Sequence, residues 1–323
     1  MWGIQIEEQG GPDVLHWREL PDPVAGAGQV VAEVDAAGLN YIDTYQRSGL
    51  YQVPLPYVLG LEGVGTIAEV GDGVESLAVG DRVAWATCPG SYAERVALPA
   101  HQLMRVPDEI STDVAAAIPL QGMTAHFLTV DTFPLAPGDR CLIHAGAGGV
   151  GLLLVQVAKR RGAEVFTTVG SPAKAELAAA AGADHTILYD DVDFVEAVRE
   201  IAGEERPLDV VYDGVGRTVF RPSLTLIRRR GTMVTFGNAS GPVEPISPLE
   251  LSANGSLFLT RPTLFHHVTT PAEIQRRADD LFGWVADGSL EIRIGARYAL
   301  RDAAEAHHAL EGRATTGKVL LEP

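Results

Sequence analysis

Arg140-Cys-Leu-Ile-His-Ala-Gly-Ala-Gly-Gly-Val-Gly-Leu-Leu-Leu-Val-Gln-Val-Ala-Lys159 decides the fold. Leu142 and Ile143 mark a buried strand, glycines follow, and Leu152, Val155, Gln156 and Lys159 then recur at helical spacing. Gly146, Gly148 and Gly151 therefore fit G-x-G-x-x-G at a strand-to-helix junction, the context that gives this motif its meaning. The first glycine turns the chain, the second lets a pyrophosphate approach the backbone, and the third lets the helix pack on the sheet. The start of the helix offers unpaired N–H groups and positive dipole to the phosphates. The bland alternative is an ordinary tight turn; the strand before and the helix after favour a dinucleotide site.

Outward from that stretch, strands and helices alternate. Strands are predicted over 141–145, 164–169, 185–188, 208–212, 232–237 and 256–260, with helices starting near Gly149, Pro172, Asp193, Val219 and Pro248. Such alternation with short connections indicates a parallel sheet covered on both faces. Upstream, residues 1 to about 110 read as strands and turns. Val30, Ala32 and Val34 share one strand face, 40–49 forms a short helix or turn, and glycines bracket the β-branched runs of 60–74, as in a small barrel-like sheet. Ser111-Thr-Asp caps a helix, and a second helical pattern runs over 122–130. After Arg261-Pro262 come an amphipathic helix over 270–287, a strand over 290–300, a helix over 302–311 and a last strand from Gly317 to Leu321, a tail expected to pack back on the first module. The expected domains are 1–122, 123–262 and a return to the first over 263–323.

With 323 residues, 46% hydrophobic and 21% charged, the chain is long enough for two cored domains, and no segment approaches the roughly 20 apolar residues of a membrane span. A net charge of −17 disfavours nucleic acid and anionic lipid as partners. Arg228-Arg-Arg230, a local exception, reads as the solvated last turn of a helix stopped by Gly231. The opening Met1-Trp-Gly-Ile-Gln-Ile-Glu-Glu lacks the basic start and apolar core of a signal peptide, and Cys88 and Cys141 are the only cysteines, so a reducing, cytoplasmic setting is expected.

In the NAD version of such a site an acid ends the second strand and binds the ribose hydroxyls. Here Gly170-Ser171 stands at that end, and Glu164 begins the strand at the wrong edge. Ser171 can donate to a 2′-phosphate and Lys174 can supply charge, so NADPH is expected.

Gly138-Asp139, Leu142, Gly148-Gly149, Gly151, Gln156 and Lys159 stand as in the signature of the quinone oxidoreductase (zeta-crystallin-like) family of the medium-chain dehydrogenase/reductase superfamily, which the whole chain resembles. Asn40-Tyr-Ile-Asp-Thr-Tyr-Gln-Arg-Ser-Gly-Leu-Tyr51, Tyr212-Asp-Gly-Val-Gly216, Phe236-Gly-Asn238 and Leu259-Thr-Arg-Pro262 carry the same likeness. Gly146 departs from it, because the family usually has alanine or serine there. The resemblance implies an α/β fold with a Rossmann-type parallel-sheet cofactor domain and a GroES-like, mainly β catalytic domain.

The zinc alcohol dehydrogenases of that superfamily carry Gly-His-Glu-x-x-Gly; here it reads Gly60-Leu61-Glu62-Gly63-Val64-Gly65. Leucine has no lone pair for zinc, no cysteine stands in 40–43, and the cysteines of a structural zinc lobe are missing. His266-His267 and His307-His308 are adjacent pairs and read as surface or packing residues, so no metal is expected. Without a Lewis acid the substrate must accept hydride readily: a quinone or an alkene conjugated to a carbonyl.

By resemblance, Gly148, Gly149, Val150 and Gly151 hold the pyrophosphate, and Gly170, Ser171 and Lys174 surround the 2′-phosphate. Tyr189 is either a cofactor neighbour or an exposed strand-end tyrosine. Phe236, Gly237, Asn238, Phe258 and Thr260 correspond to strand ends around the nicotinamide, with Thr124, Arg313 and Lys318 as further cofactor contacts. Asn40, Asp43, Tyr45 and Tyr51 line the substrate end. Tyr45 either donates a hydrogen bond to a developing quinolate or packs its ring, Asp43 is alternatively a helix-terminus residue held by Arg47, and Glu62 is structural.

The leading expectation is thus an NADPH-dependent quinone reductase. Its rivals are a zinc-free enoyl or alkenal reductase, and an NADPH-binding structural or redox-sensing protein with little turnover. A homodimer joined through the edge strand at 256–260 is also implied.

Overall fold

Alternating apolar and polar residues put eight strands at the head of the chain: β1 (Trp2–Ile6), β2 (His16–Glu19), β3 (Gln29–Leu39), β4 (Tyr57–Val58), β5 (Gly63–Val70), β6 (Arg82–Trp85), β7 (Arg95–Pro99) and β8 (Leu103–Arg105). The helix α1 (Tyr41–Ser48) follows β3 and is stopped by Gly49, whose φ of 82° few other residues adopt. The computed structural model describes all residues from Met1 to Pro323. They divide into a first unit of Met1–Met123, His267–Gly288 and Ile292–Pro323, and a second of Thr124–His266 and Ser289–Glu291.

In the first unit β3 is the hub, pairing antiparallel with β5 and β7. Its long buried run explains why: Val30 and Ala32 are fully buried, and they pack in one core with Ile4, Ile6, Trp85, Tyr92 and Leu98. Each buried Val, Leu or Ile side chain contributes about 1.5–3 kcal/mol by leaving water. Asp35 is an extra residue where the pairing Val34 with Gly65 gives way to Ala36 with Val64, a bulge of the kind the glycine-rich pattern predicts.

The helices α2 (Thr112–Ala117) and α3 (Pro119–Phe127) lead to the second unit, and Ser111 caps α2 by accepting from the Val114 N–H. Strands β9 (Arg140–His144), β10 (Glu164–Val169), β11 (His185–Leu188), β12 (Leu208–Asp213), β13 (Ile227–Thr235) and β14 (Phe258–Thr260) alternate there with α4 (Gly149–Arg160), α5 (Pro172–Ala180), α6 (Phe194–Ala202), α7 (Phe220–Leu224) and α8 (Pro248–Ala253). Every neighbouring pair is parallel and the order is β11-β10-β9-β12-β13-β14. Counted from β9 this is the 3-2-1-4-5-6 order of the Rossmann fold, whose direction reverses between β9 and β12 and leaves a crevice beyond their carboxyl ends.

Arg228–Arg230 is not a helix end. The pairing of β12 with β13 jumps from Leu208–Ile227 to Val210–Thr232, so the three arginines bulge from the start of β13 into solvent. Arg230 takes a φ of 58° and Arg228 pairs with Asp209. Three consecutive charges mimic an exposed helical turn in sequence, but the buried residues on either side, Ile227 and Gly231, belong to a strand.

The chain then returns to the first unit with α9 (Pro271–Ala286), β15 (Ile294–Ala299), α10 (Ala303–Glu311) and β16 (Lys318–Glu322). The last strand pairs antiparallel with β3, Val319 opposite Leu39. No helix is long and apolar enough to cross a membrane.

Candidate nucleotide and acceptor sites

Past the end of β9 the backbone takes a left-handed step at Ala145, with φ 58°. The sharp turn therefore falls one residue before Gly146. A side chain on Gly146 would overlap the Thr167 hydroxyl, which donates to the Ile143 carbonyl at 2.6 Å. At Gly151 a Cβ would overlap the Ala145 carbonyl oxygen and lie 2.9 Å from Gly146 Cα, so this glycine lets α4 press onto the turn as its motif position predicts. Gly148 is the N-cap of α4 and no side chain caps it. The N–H groups of Gly149, Val150 and Gly151 at that first turn suit an anion.

Beneath the turn His144 is buried, with Nδ1 2.9 Å from the Thr168 hydroxyl and Nε2 2.8 Å from Ser223 Oγ. Ser223 gives its own proton to the Val219 carbonyl, so Nε2 must carry the hydrogen and Thr168 donates to Nδ1. Burial pushes this imidazole down to about 3 and keeps it neutral.

At the end of β10 Ser171 caps α5, its Oγ accepting from the Lys174 N–H at 3.3 Å, which leaves the hydroxyl proton to donate elsewhere. A Cβ on Gly170 would lie 2.5 Å from the Tyr189 hydroxyl and 3.4 Å from an Asp190 carboxylate oxygen. The structure thus brings Gly170, Ser171, Lys174 and Tyr189 together, and adds an acid, Asp190, that follows β11 and not β10.

At the ends of β12 and β13, the Phe236 N–H donates to the Asp213 carbonyl at 2.7 Å, and Asp213 Oδ1 accepts from the Val215 and Gly216 N–H groups at 2.7 and 2.8 Å. Asp213 Oδ2 and Thr235 Oγ1, on paired positions, are buried without partners. Burial raises the Asp213 carboxyl to about 6 against the pull of those two N–H groups. Thr260 ends β14, whereas Phe258 opens it with 62% of its surface exposed. With only three residues in the strand, Phe258 lies at its amino end, away from the carboxyl ends where a parallel sheet binds ligands.

The remaining predicted residues, apart from Thr124 on α3, lie in the first unit. Arg313 follows α10 with φ 57°. Lys318 is buried, its ammonium paired with Glu62 and 3.1 Å from Asn40 Oδ1. Gly38 makes room for this pair, since a Cβ there would overlap both partners. Asn40 donates to the Gly38 carbonyl at 3.1 Å and to Glu62 Oε2 at 2.7 Å, and accepts from Lys318 and from Gln121 Nε2 at 3.0 Å. Both hydrogens and both lone pairs of its amide are occupied, so Asn40 organises the cluster and has none left for a substrate.

Asp43 Oδ2 accepts from the Asn40 N–H at 2.8 Å and the Tyr92 hydroxyl at 2.9 Å, while Oδ1 has no partner. Burial lifts this carboxyl to about 7, against the pull of those two donors and Lys318. Arg47 does not hold it. Its guanidinium lies 2.8 Å from Glu311, 3.1 Å from the Gly10 carbonyl and 3.0 Å from His307 Nδ1. Because arginine only donates, His307 must accept at Nδ1 and present Nε2–H toward the Tyr92 oxygen, 3.4 Å away. His307 is therefore a buried, neutral link, driven to about 3 by burial and by Arg47. Tyr45 is nearly buried and meets Tyr51 edge-on with ring centroids 5.2 Å apart.

Gln121 and Tyr92 escaped the sequence reading, and His307, read there only as a surface or packing residue, is buried in this cluster, since only the fold brings them to Asn40 and Asp43. A cavity of about 650 Å³ in the first unit, walled by Arg82, Arg105, Asp108, Glu109, Asp279 and Phe282, touches none of the predicted residues. The chain has no group of three or more His, Cys, Asp or Glu side chains arranged to hold a metal ion.

Residues 26–108 match the alcohol dehydrogenase GroES-like domain and residues 149–281 the zinc-binding dehydrogenase domain. A quinone oxidoreductase of Pseudomonas aeruginosa is 45% identical over 99% of both chains. The crystal structure of Escherichia coli quinone oxidoreductase complexed with NADPH is 40% identical, covers 100% of both chains and superposes with a TM-score of 0.98. A 2-haloacrylate reductase of Burkholderia is 41% identical over 98% of both chains.

Proposed function

Because the chain belongs to the quinone oxidoreductase family of the medium-chain dehydrogenase/reductases, we propose that it is an NADPH-dependent quinone reductase that works by metal-free hydride transfer. The observation that carries this reading is the uncapped start of α4 at Gly148–Gly151, in a chain whose full length matches quinone oxidoreductases. Backbone N–H groups of Gly149, Val150 and Gly151 receive the pyrophosphate, and Ser171 and Lys174 receive the 2′-phosphate. Bound NADPH supplies the hydride from its dihydronicotinamide. Phe236, Gly237, Asn238 and Thr260 border that ring, Tyr189 stands beside the adenosine ribose phosphate near Gly170, and Thr124 and Arg313 are further cofactor contacts. Tyr45 and Tyr51, set edge to face, give the acceptor an aromatic corner with hydroxyl groups.

Zinc does not suit this donor set. Leu61 has no lone pair, Asn40 is saturated, and Glu62 is already bound to an ammonium and to the Leu120 N–H at 2.7 Å. The acceptor must then be one that takes hydride without a Lewis acid.

A second reading, reduction of an activated alkene, is favoured by the likeness to the 2-haloacrylate reductase. Steady-state assays with NADPH comparing benzoquinones and naphthoquinones with 2-alkenals, enoyl thioesters and 2-haloacrylate decide between them. We expect the larger kcat/KM with quinones; a clear preference for any alkene overturns the first reading. Tight NADPH binding without turnover of either class would point instead to a structural or sensing role. We further propose a homodimer paired through β14 and a reducing, cytoplasmic setting, the latter supported by two buried, unpaired thiols.

A further inference from the structure

We propose that Gln121 is the hydrogen-bond donor that steadies the charge developing on the acceptor's oxygen, with Lys318 and Glu62 as the positioning residues that fix its orientation. This rests on the quinone-reductase reading and names a residue that reading leaves out.

The argument is one of donors and acceptors. Glu62 accepts and Lys318 donates, and each touches Asn40. A flipped Asn40 amide would set its NH2 against the ammonium and its oxygen against the carboxylate and the Gly38 carbonyl, so charge leaves it one orientation. Its Oδ1 must then be met by a donor, and Gln121 meets it with Nε2 at 3.0 Å. The Gln121 amide is thereby fixed as well, with one N–H committed to Asn40 and the other directed away from it.

Gln121 is also the most exposed member of this cluster. It is 8% exposed, against 4% for Asn40, 2% for Lys318 and 0% for Glu62. Its backbone is anchored by the same carboxylate: Glu62 Oε1 accepts the Leu120 N–H at the start of α3, where the helix dipole favours negative charge. A donor held in place before the reaction costs no reorganisation when charge appears. Hydride bonds to the ring carbon β to one carbonyl, the ring C=C pair shifts toward that carbonyl, and its π pair moves onto oxygen. Gln121 donates a hydrogen bond to that oxygen, a proton from water neutralises it, and enolisation of the second carbonyl, which moves the extra ring hydrogen to oxygen as a proton, completes the hydroquinone.

The test is steady-state kinetics of Gln121→Met and Gln121→Glu with NADPH and a series of benzoquinones graded by the acidity of their hydroquinones. Gln121→Met is expected to lower kcat on the order of 10- to 100-fold, with the KM for NADPH within about twofold of wild type. The loss should be largest for quinones that form the most basic oxygens. Gln121→Glu keeps the shape but only accepts at pH 8, so it should not restore kcat. Wild-type kcat in Gln121→Met, full activity in Gln121→Glu, or a loss uniform along the series overturns the proposal. The neutral double variant Glu62→Gln/Lys318→Met, which leaves no lone buried charge, should lower kcat while NADPH affinity holds; unchanged kcat removes their positioning role. If wild type reduces only conjugated enones, the quinone reading falls, and the same comparison on the enolate oxygen still decides Gln121.

Discussion

Lys174, three residues past Ser171, and Asp190, beside Gly170, carry opposite charges, and at the 2′-phosphate site we propose they oppose each other in the choice of cofactor. Lys174 begins the third position of α5 beside the Ser171 hydroxyl, while an Asp190 oxygen comes within 3.4 Å of where a Gly170 side chain would stand. A 2′-phosphate is drawn to the first and repelled by the second. Lys174→Ala should weaken NADPH by about 10- to 100-fold, the worth of a charge-assisted hydrogen bond, and leave NADH nearly unchanged. Asp190→Asn should strengthen NADPH by about two- to fivefold, as for a solvent-exposed charge. Fluorescence titration of both cofactors checks each; equal losses for NADPH and NADH in Lys174→Ala would show that it does not read the phosphate. The acidic neighbour was illegible because it follows the third strand, whereas the missing acid of the second strand could be read directly from Gly170-Ser171. Gly146 shows the same limit. Its departure from the family's alanine or serine looks merely tolerated in sequence, yet the Thr167 hydroxyl on the neighbouring strand fills the space a side chain would need.

Among elements, the strands of the second unit were the most legible, because strands buried on both faces read as apolar runs bounded by glycine. β10 and β11 run Glu164–Val169 and His185–Leu188, the spans expected. β13 was the exception, since its first residues bulge and carry three arginines. The acceptor-side cluster was half legible: α1 and its N-cap hold Asn40, Asp43 and Tyr45 in one contiguous motif and Lys318 stood out as a cofactor candidate, but nothing local links Lys318, Tyr92, Gln121 and His307, which come from four distant segments. β14 carries a consequence of its own. It pairs only with β13, so its outer edge has no partner within the chain, and Phe258 on it is 62% exposed. An uncovered edge with an exposed aromatic is a pairing surface. Phe258→Glu should shift sedimentation from dimer to monomer while leaving the unfolding midpoint of the monomer unit little changed. A wild-type protein that sediments only as a monomer removes the edge-pairing proposal.

Across the whole molecule, four buried titrating groups pull stability in opposite directions with pH. His144 and His307 are held down to about 3, below the ordinary 6.5, so the stability tied to their neutral forms is present above about pH 6.5 and is lost as pH falls toward 3. Asp43 and Asp213 are raised to about 7 and about 6, so the stability tied to their protonated forms is present below the ordinary carboxylate pKa of 3.8 and is lost as pH rises through those values. Between roughly pH 4.5 and 6 the unfolded chain binds two extra protons on histidines while the folded chain binds two on aspartates, and the slopes cancel. Asp43→Asn removes one of the two aspartates from that balance. Urea unfolding should show the variant losing about 2–3 kcal/mol relative to wild type between pH 6.5 and pH 4.5, a slope of about 1.4 kcal/mol per pH unit for one proton. Comparing the two proteins cancels the contribution of the many surface carboxylates behind the net charge of −17. Parallel stability curves would mean that Asp43 is ionised throughout, and that Tyr92, Asn40 and Lys318 together outweigh its burial.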